Sequence, residues 1–252
     1  MNHLHRLLAA TSVIALLGAG CFGSPAASPS GGTPAMPGST ASNSACESAY
    51  YPLKEGSSIL YTSYSSAGDV PFKISVIEHD GANIKLDYEM TVQGRVAHIT
   101  QELICENGAV RGKGYFDFAQ AFTGLDISYD VIEMSGEIFP SNFRVGTEWT
   151  TKTKVKINTA DTGPIGSMMN GMIASTSIVS KVIAEESVTV PAGTFTAMKV
   201  EQTITIDQTI GGRPVHNVSQ NTAWYVKDVG LVKTSSGTGA NAFRMEAKTI
   251  EN

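Results

Sequence analysis

Residues 83–92, NIKLDYEMTV, alternate without interruption. Ile84, Leu86, Tyr88, Met90 and Val92 fall on one side, with Lys85, Asp87, Glu89 and Thr91 on the other. A period of two belongs to a strand with one buried face and one wet face. The pattern recurs along the chain. EWTTKTKVKIN sets Trp149, Thr151, Thr153, Val155 and Ile157 opposite three lysines, and TAMKVEQTITID sets Met198, Val200, Ile204 and Ile206 opposite Lys199 and Glu201. NAFRMEAKTIE repeats it with Phe243, Met245 and Ala247. Asp80-Gly81 and Asn107-Gly108 are hairpin turn signals, and IGGRP at 210–214 reverses the chain again. Strands joined by such short turns pair antiparallel, because a parallel crossover takes a dozen residues or more. Roughly ten to twelve strands cannot lie flat and must curl or split into layers. The expected fold is all-β, a single curled antiparallel sheet or partly closed barrel, with a β-sandwich as the alternative. One domain over 46–252 is the first expectation, and two pseudo-repeats divided near residue 140 the second. No amphipathic helix stands out in this part of the chain.

Two segments escape the alternation. Residues 115–143 are apolar without a clean period, and residues 161–176 hold Met168, Met169 and Met172 among Gly and Pro. Methionine adapts to irregular core gaps and to apolar surfaces alike. These segments read as loops over an open barrel end, or more sharply as a lid in which Met168, Met169 and Met172 cover an apolar cavity. Such a cavity would be lined from Ile84, Leu86, Tyr88, Met90, Trp149, Val155, Met198 and Val200, residues that serve equally well as plain core.

Residues 1–20 have the three parts of a secretory signal: a basic start with Arg6, an apolar segment of about 14 residues, and a small-residue end. The apolar segment is short of the roughly 20 residues a spanning helix needs. Leu17-Gly18-Ala19-Gly20-Cys21 resembles the lipobox of bacterial lipoproteins, with Gly18 where an aliphatic residue is usual. The resemblance implies lipidation of Cys21. Residues 22–45 carry no charge and one aromatic, so they have little to bury and read as a flexible tether. Phe22, rather than Asp, follows the cysteine, which in lipoproteins points to the outer membrane where one exists. Outside the cytoplasm the two remaining cysteines, Cys46 and Cys105, suit a disulfide, the alternative being two separately buried thiols.

The net charge of −5 and the dispersed lysines give phosphate nothing to gather on, which argues against nucleic acid. His79, His98 and His216 belong to no catalytic or metal-binding spacing, and the cysteines form no CxxC. No catalytic residue, metal or cofactor is expected, and the chain reads as non-enzymatic. A hydrolase would require His98 or His216 to meet a carboxylate and a nucleophile in a cleft.

ESVTVPAGTFTAMKVE is followed about 25 residues later by AWYVKDVGLVKT. With YYPLKEGSSILYT and FPSNFRVGTEWT, these stretches resemble a family of secreted bacterial lipoproteins. More distantly they are similar to half-barrel lipoproteins that include the lipoprotein-localisation carriers. The chain departs at Ile59, where that family tends to carry Trp. The resemblance implies a curled sheet and transfers no catalytic residue. The expected function is a membrane-anchored extracytoplasmic lipoprotein that binds a lipid or other apolar ligand. The alternative is a cell-envelope structural module, or one that binds protein or polysaccharide through an edge strand or an exposed patch around Tyr61 and Tyr64.

Overall fold

The computed structural model describes residues 49–251, except 52–53, 67, 93–94, 114–126, 161–162, 211 and 238–241. Twelve strands form one antiparallel sheet: β1 (Ser58–Tyr64), β2 (Val70–His79), β3 (Asn83–Val92), β4 (Arg95–Glu106), β5 (Ala109–Gly112), β6 (Ile127–Gly136), β7 (Glu148–Thr159), β8 (Ile173–Val190), β9 (Gly193–Ile210), β10 (Arg213–Val226), β11 (Gly230–Ser236) and β12 (Phe243–Glu251). Their order is 5-4-3-2-1-12-11-10-9-8-7-6, so the sequence meanders except where β1 pairs with β12. The sheet curls into a nearly closed barrel, as the alternation requires. It is one continuous sheet rather than a sandwich, because the β1–β12 ladder runs from Ser58↔Glu251 to Tyr64↔Arg244 and joins the two ends of the sequence.

The two outer strands approach each other at one end. Val110 of β5 bridges Phe139, just beyond β6, with Val110 N–H donating to Phe139 O (3.0 Å) and Ile138 N–H to Val110 O (2.9 Å). Phe139 then plugs that end. Its ring is 1% exposed and packs against Tyr51 (5.2 Å between centroids), Phe143 (4.4 Å) and Tyr225 (5.4 Å).

Turn chemistry fixes the register. Asp80 Oδ1 accepts from the backbone N–H of Asn83, tightening the β2–β3 hairpin. Asn107 (φ 54°) and Gly108 (φ 78°) form the β4–β5 turn that the Asn-Gly pair predicts. Gly136 ends β6 at φ 91°, and a Cβ placed there would lie 1.9 Å from Thr150 O. Gly136→Ala should therefore cost about 2–3 kcal/mol, read as a lowered urea midpoint at unchanged m-value.

The VPAGTF motif does more than reverse the chain. It joins β8 and β9, each 18 residues long, and the tip reaches across to β12, where Ala192 N–H donates to Ala247 O (3.0 Å). That carbonyl is free because the β11–β12 ladder stops at Lys233↔Glu246. Val188, Val190 and Ala197 thereby join the same buried cluster as Val226, Val232 and Ala247. The motif is a clasp over the place where the sheet opens.

Two features differ from the sequence expectation. Part of the aperiodic segment 115–143 is β6, an edge strand with a bulge between Val131 and Glu133. The bulge breaks the alternation, and exposed Val131 and Ile132 blur the two faces. In 161–176 the structure places a short helix, α1 (Pro164–Met169), where Pro opens the first turn instead of breaking the chain.

Candidate functional site

Along β1, β2 and β3 the inward residues fall in register: Ile59 opposite Ile74, Ile74 opposite Tyr88, and Val76 opposite Leu86. These side chains form one wall of a cavity of about 320 Å³. Tyr51, Tyr61, Ile138, Tyr225 and the Asp228–Leu231 turn complete it, and Lys54, Ser57 and Ser58 join the lining as polar groups. The turn is held by Asp228 (φ 61°) and Gly230 (φ 99°), and Asp228 N–H donates to Ala49 O where the chain enters the domain.

Four tyrosines line this one space. Tyr61 donates its hydroxyl to Leu231 O (2.7 Å), and Tyr88 donates to Gln101 Oε1 (2.6 Å). Desolvation pushes the Tyr51 phenol up to about 12. The same cause raises Tyr61, Tyr88 and Tyr225, with repulsion from the neighbouring phenolates adding to it. All four stay neutral hydrogen-bond donors at any physiological pH. Their rings give the wall apolar area, and their hydroxyls give it polar points.

Of the eight residues expected to line a pocket, Leu86 and Tyr88 do so. Ile84 and Met90 lie buried on the same strand in the main cluster. Met198, Val200 and Trp149 gather around a second cluster with Val182 and Ala223. Val155 is buried on β7. Met168 and Met169 sit on α1 and Met172 just beyond it. Ile157 N–H donates to Met172 O (2.8 Å) and Gly171 N–H to Ile157 O (2.7 Å), tying this segment to β7. Neither Met169 nor Met172 lines the cavity. Cys21 and Cys46 lie outside the described residues, while Cys105 is buried on β4 and is a half-cystine.

Sequence reasoning missed Tyr51, Ile59, Tyr61, Ile74, Val76 and Tyr225. The aromatic pair in YYPLK was a signal, since such rings at a domain's start must find something to cover. Tyr61 is 2% exposed, so it belongs to no surface patch; Tyr64 is half-buried, with the Arg244 guanidinium 4.4 Å from its ring centre.

Both strand histidines do meet a carboxylate. His98 Nδ1 lies 3.0 Å from Asp87 Oδ2 and His216 Nδ1 lies 2.6 Å from Asp207 Oδ1. Both pairs stand on the outer face, exposed and away from the cavity, since Asp87 alternates with inward Leu86 and Tyr88. A second polar cluster lies inside the sheet. Gln202 donates to Ser180 Oγ (3.2 Å), Asn221 to Gln202 Oε1 (2.5 Å) and Thr234 to Asn221 Oδ1 (2.8 Å). This chain crosses four strands, β8 to β11, and satisfies its members mutually, so it pins register.

The family model described as DUF3108-like matches residues 54–239, which takes in the cavity-forming strands and the clasp. The chain belongs to the DUF3108-like family. No curated protein sequence matches it. Among solved structures it is similar to a candidate lipoprotein from Parabacteroides distasonis, at 18% identity and TM-score 0.51, covering 80% of this chain and 98% of that one. It is also similar to a candidate exported protein with a YmcC-like fold from Bacteroides fragilis, at 14% identity and TM-score 0.46, covering 81% and 99%. A third, the hypothetical lipoprotein YmcC from Escherichia coli, gives 11% identity and TM-score 0.35 over 77% and 84%. At these identities the first supports the DUF3108-like chain's fold and nothing finer.

Proposed function

We propose that this DUF3108-like protein is a non-enzymatic, extracytoplasmic lipoprotein, anchored through Cys21, that binds a lipid or other apolar ligand in the tyrosine-lined cavity. The observation that carries the reading is the cavity itself. About 320 Å³ lies at the lower end of small-molecule sites, its wall is mainly aliphatic and aromatic, and polar groups converge on it. The outward position of both His–Asp pairs supports a role without catalysis. The lipobox-like LGAGC, the uncharged tether after it and the similarity of the fold to a candidate lipoprotein support the anchor.

Ile59→Trp tests the cavity, because the larger ring would fill it at a half-buried position. Methyl octanoate at a hundredfold excess over its Kd should raise the Tm of the parent protein by about 5 °C or more. The Ile59→Trp protein should show no shift; equal shifts in both would place the ligand elsewhere. Cys21→Ser tests the anchor. It should move the protein out of the lipid-modified membrane pool, seen as loss of metabolic palmitate labelling, and persistent labelling would refute the assignment.

The reading of a cell-envelope interaction module has one observation in its favour. Arg213–Gln220 of β10 is exposed on both faces, and among the described residues no strand pairs with its outer edge, because β11 pairs only from Asn221 onward. An open edge of this kind can accept a partner's strand.

A further inference from the structure

The cavity's two unengaged hydroxyls carry a statement about what it selects. Tyr61 and Tyr88 direct theirs to protein acceptors, whereas Tyr51 and Tyr225 line the same space with no hydrogen-bond partner among the described residues. Both residues are partly buried, and neither hydroxyl is a buried orphan, so the two phenols stand open to the cavity as donors that an entering acceptor oxygen can meet. Phe139 packs on both rings, at 5.2 Å and 5.4 Å, so the pair is held on one side of the space by a residue that cannot move without opening the barrel.

We propose that the cavity selects a single apolar chain bearing an uncharged acceptor oxygen, an ester or amide carbonyl, which Tyr51 and Tyr225 recognise through their hydroxyls. The inference rests on the reading of the cavity as a ligand site. A carbonyl oxygen has two lone pairs and can accept from both phenols at once. A carboxylate fits poorly. Of the lining residues only Lys54 and Asp228 carry charge; they are opposite in sign and both exposed, so an ionised head drawn between the tyrosines would be desolvated with no net positive charge in the lining to offset it. The volume suits one short chain better than a multi-chain lipid. Burial keeps both phenols protonated, so they act as donors throughout the physiological range.

The test is equilibrium dialysis of the full chain in lipid nanodiscs against radiolabelled methyl octanoate, decane or octanoate, with empty nanodiscs subtracted. The ester should bind at least about tenfold more tightly than decane, a ratio that two neutral hydrogen bonds supply. Octanoate should bind no better than decane. In the double variant Tyr51→Phe/Tyr225→Phe, which keeps both rings, the ester should fall to the level of decane while decane binding is unchanged. Equal binding of ester and decane to the parent, or a preference for octanoate, overturns this inference and leaves the cavity as an apolar site. Binding of none of the three probes overturns the cavity reading as well. Unchanged ester preference in the double variant shows that other groups recognise the carbonyl.

Discussion

Phe139→Ala should lower the unfolding free energy by about 3–5 kcal/mol, the range for removing a fully buried phenylalanine without refilling its space. The residue performs two tasks at one point. Its backbone joins the two outer strands of the sheet through Val110, and its ring fills the end of the barrel against Tyr51, Phe143, Trp149 and Tyr225. Aromatic pairs of this kind add about 0.5–1.5 kcal/mol each beyond the area they bury. Removing the ring should also release the closure it seals, so the amides of Val110 and Ile138 should exchange faster than the rest of the core. Urea unfolding with native-state hydrogen exchange reads both effects. A loss below about 1 kcal/mol with unchanged exchange would show that the barrel closes without this plug.

Replacing Cys46 and Cys105 together by Ser should cost about 4 kcal/mol, the chain-entropy value for a loop of about 60 residues. Cys105 is a half-cystine in β4, and the partner expected from the sequence is Cys46, which lies outside the described residues. Cys105 pairs with Val110, Val110 bridges Phe139, and the Phe139 ring stacks on Tyr51. The chain's entry is thus already beside β4 and β5. Cys46 lies five residues before Tyr51, within a reach of about 17 Å. The bond would fasten the start of the domain to the far edge of the sheet, which no ladder does. Intact mass after alkylation without reduction should show Cys46 and Cys105 unmodified. Labelling of both in the folded, unreduced protein would overturn the pairing and with it the expected loss.

The alternation in NIKLDYEMTV and EWTTKTKVKIN made the sheet legible, because a half-buried strand writes its two faces directly into the sequence. It also placed Leu86 and Tyr88 on the cavity side. What stayed hidden was long-range. Nothing local pairs β1 with β12, about 185 residues apart, so the sheet's closure into one body had to come from tertiary contacts. Strand β6 escaped because its bulge and its exposed edge remove the period that identifies strands. VPAGTF announces a hairpin, yet its docking on Ala247 depends on where the β11–β12 ladder ends, which only the assembled sheet decides. The cavity wall was the least legible part. Four of its residues are tyrosines from distant segments, and Tyr61 in SILYTSY reads as an amphipathic surface residue until its hydroxyl is seen on Leu231. The methionines of 161–176 showed the reverse error of emphasis, since composition drew attention to a segment tied to β7 rather than to the tyrosine-lined wall.

The central claim is that the tyrosine-lined space holds a ligand. Its most direct test is a mass-spectrometric lipid extract of the full chain purified from its own cells, quantified per mole of protein beside the Ile59→Trp variant. The account predicts a near-stoichiometric apolar carbonyl compound, beyond the covalent anchor, that is lost in the variant. An extract with nothing above the anchor, or the same compound at the same level in both proteins, would contradict it.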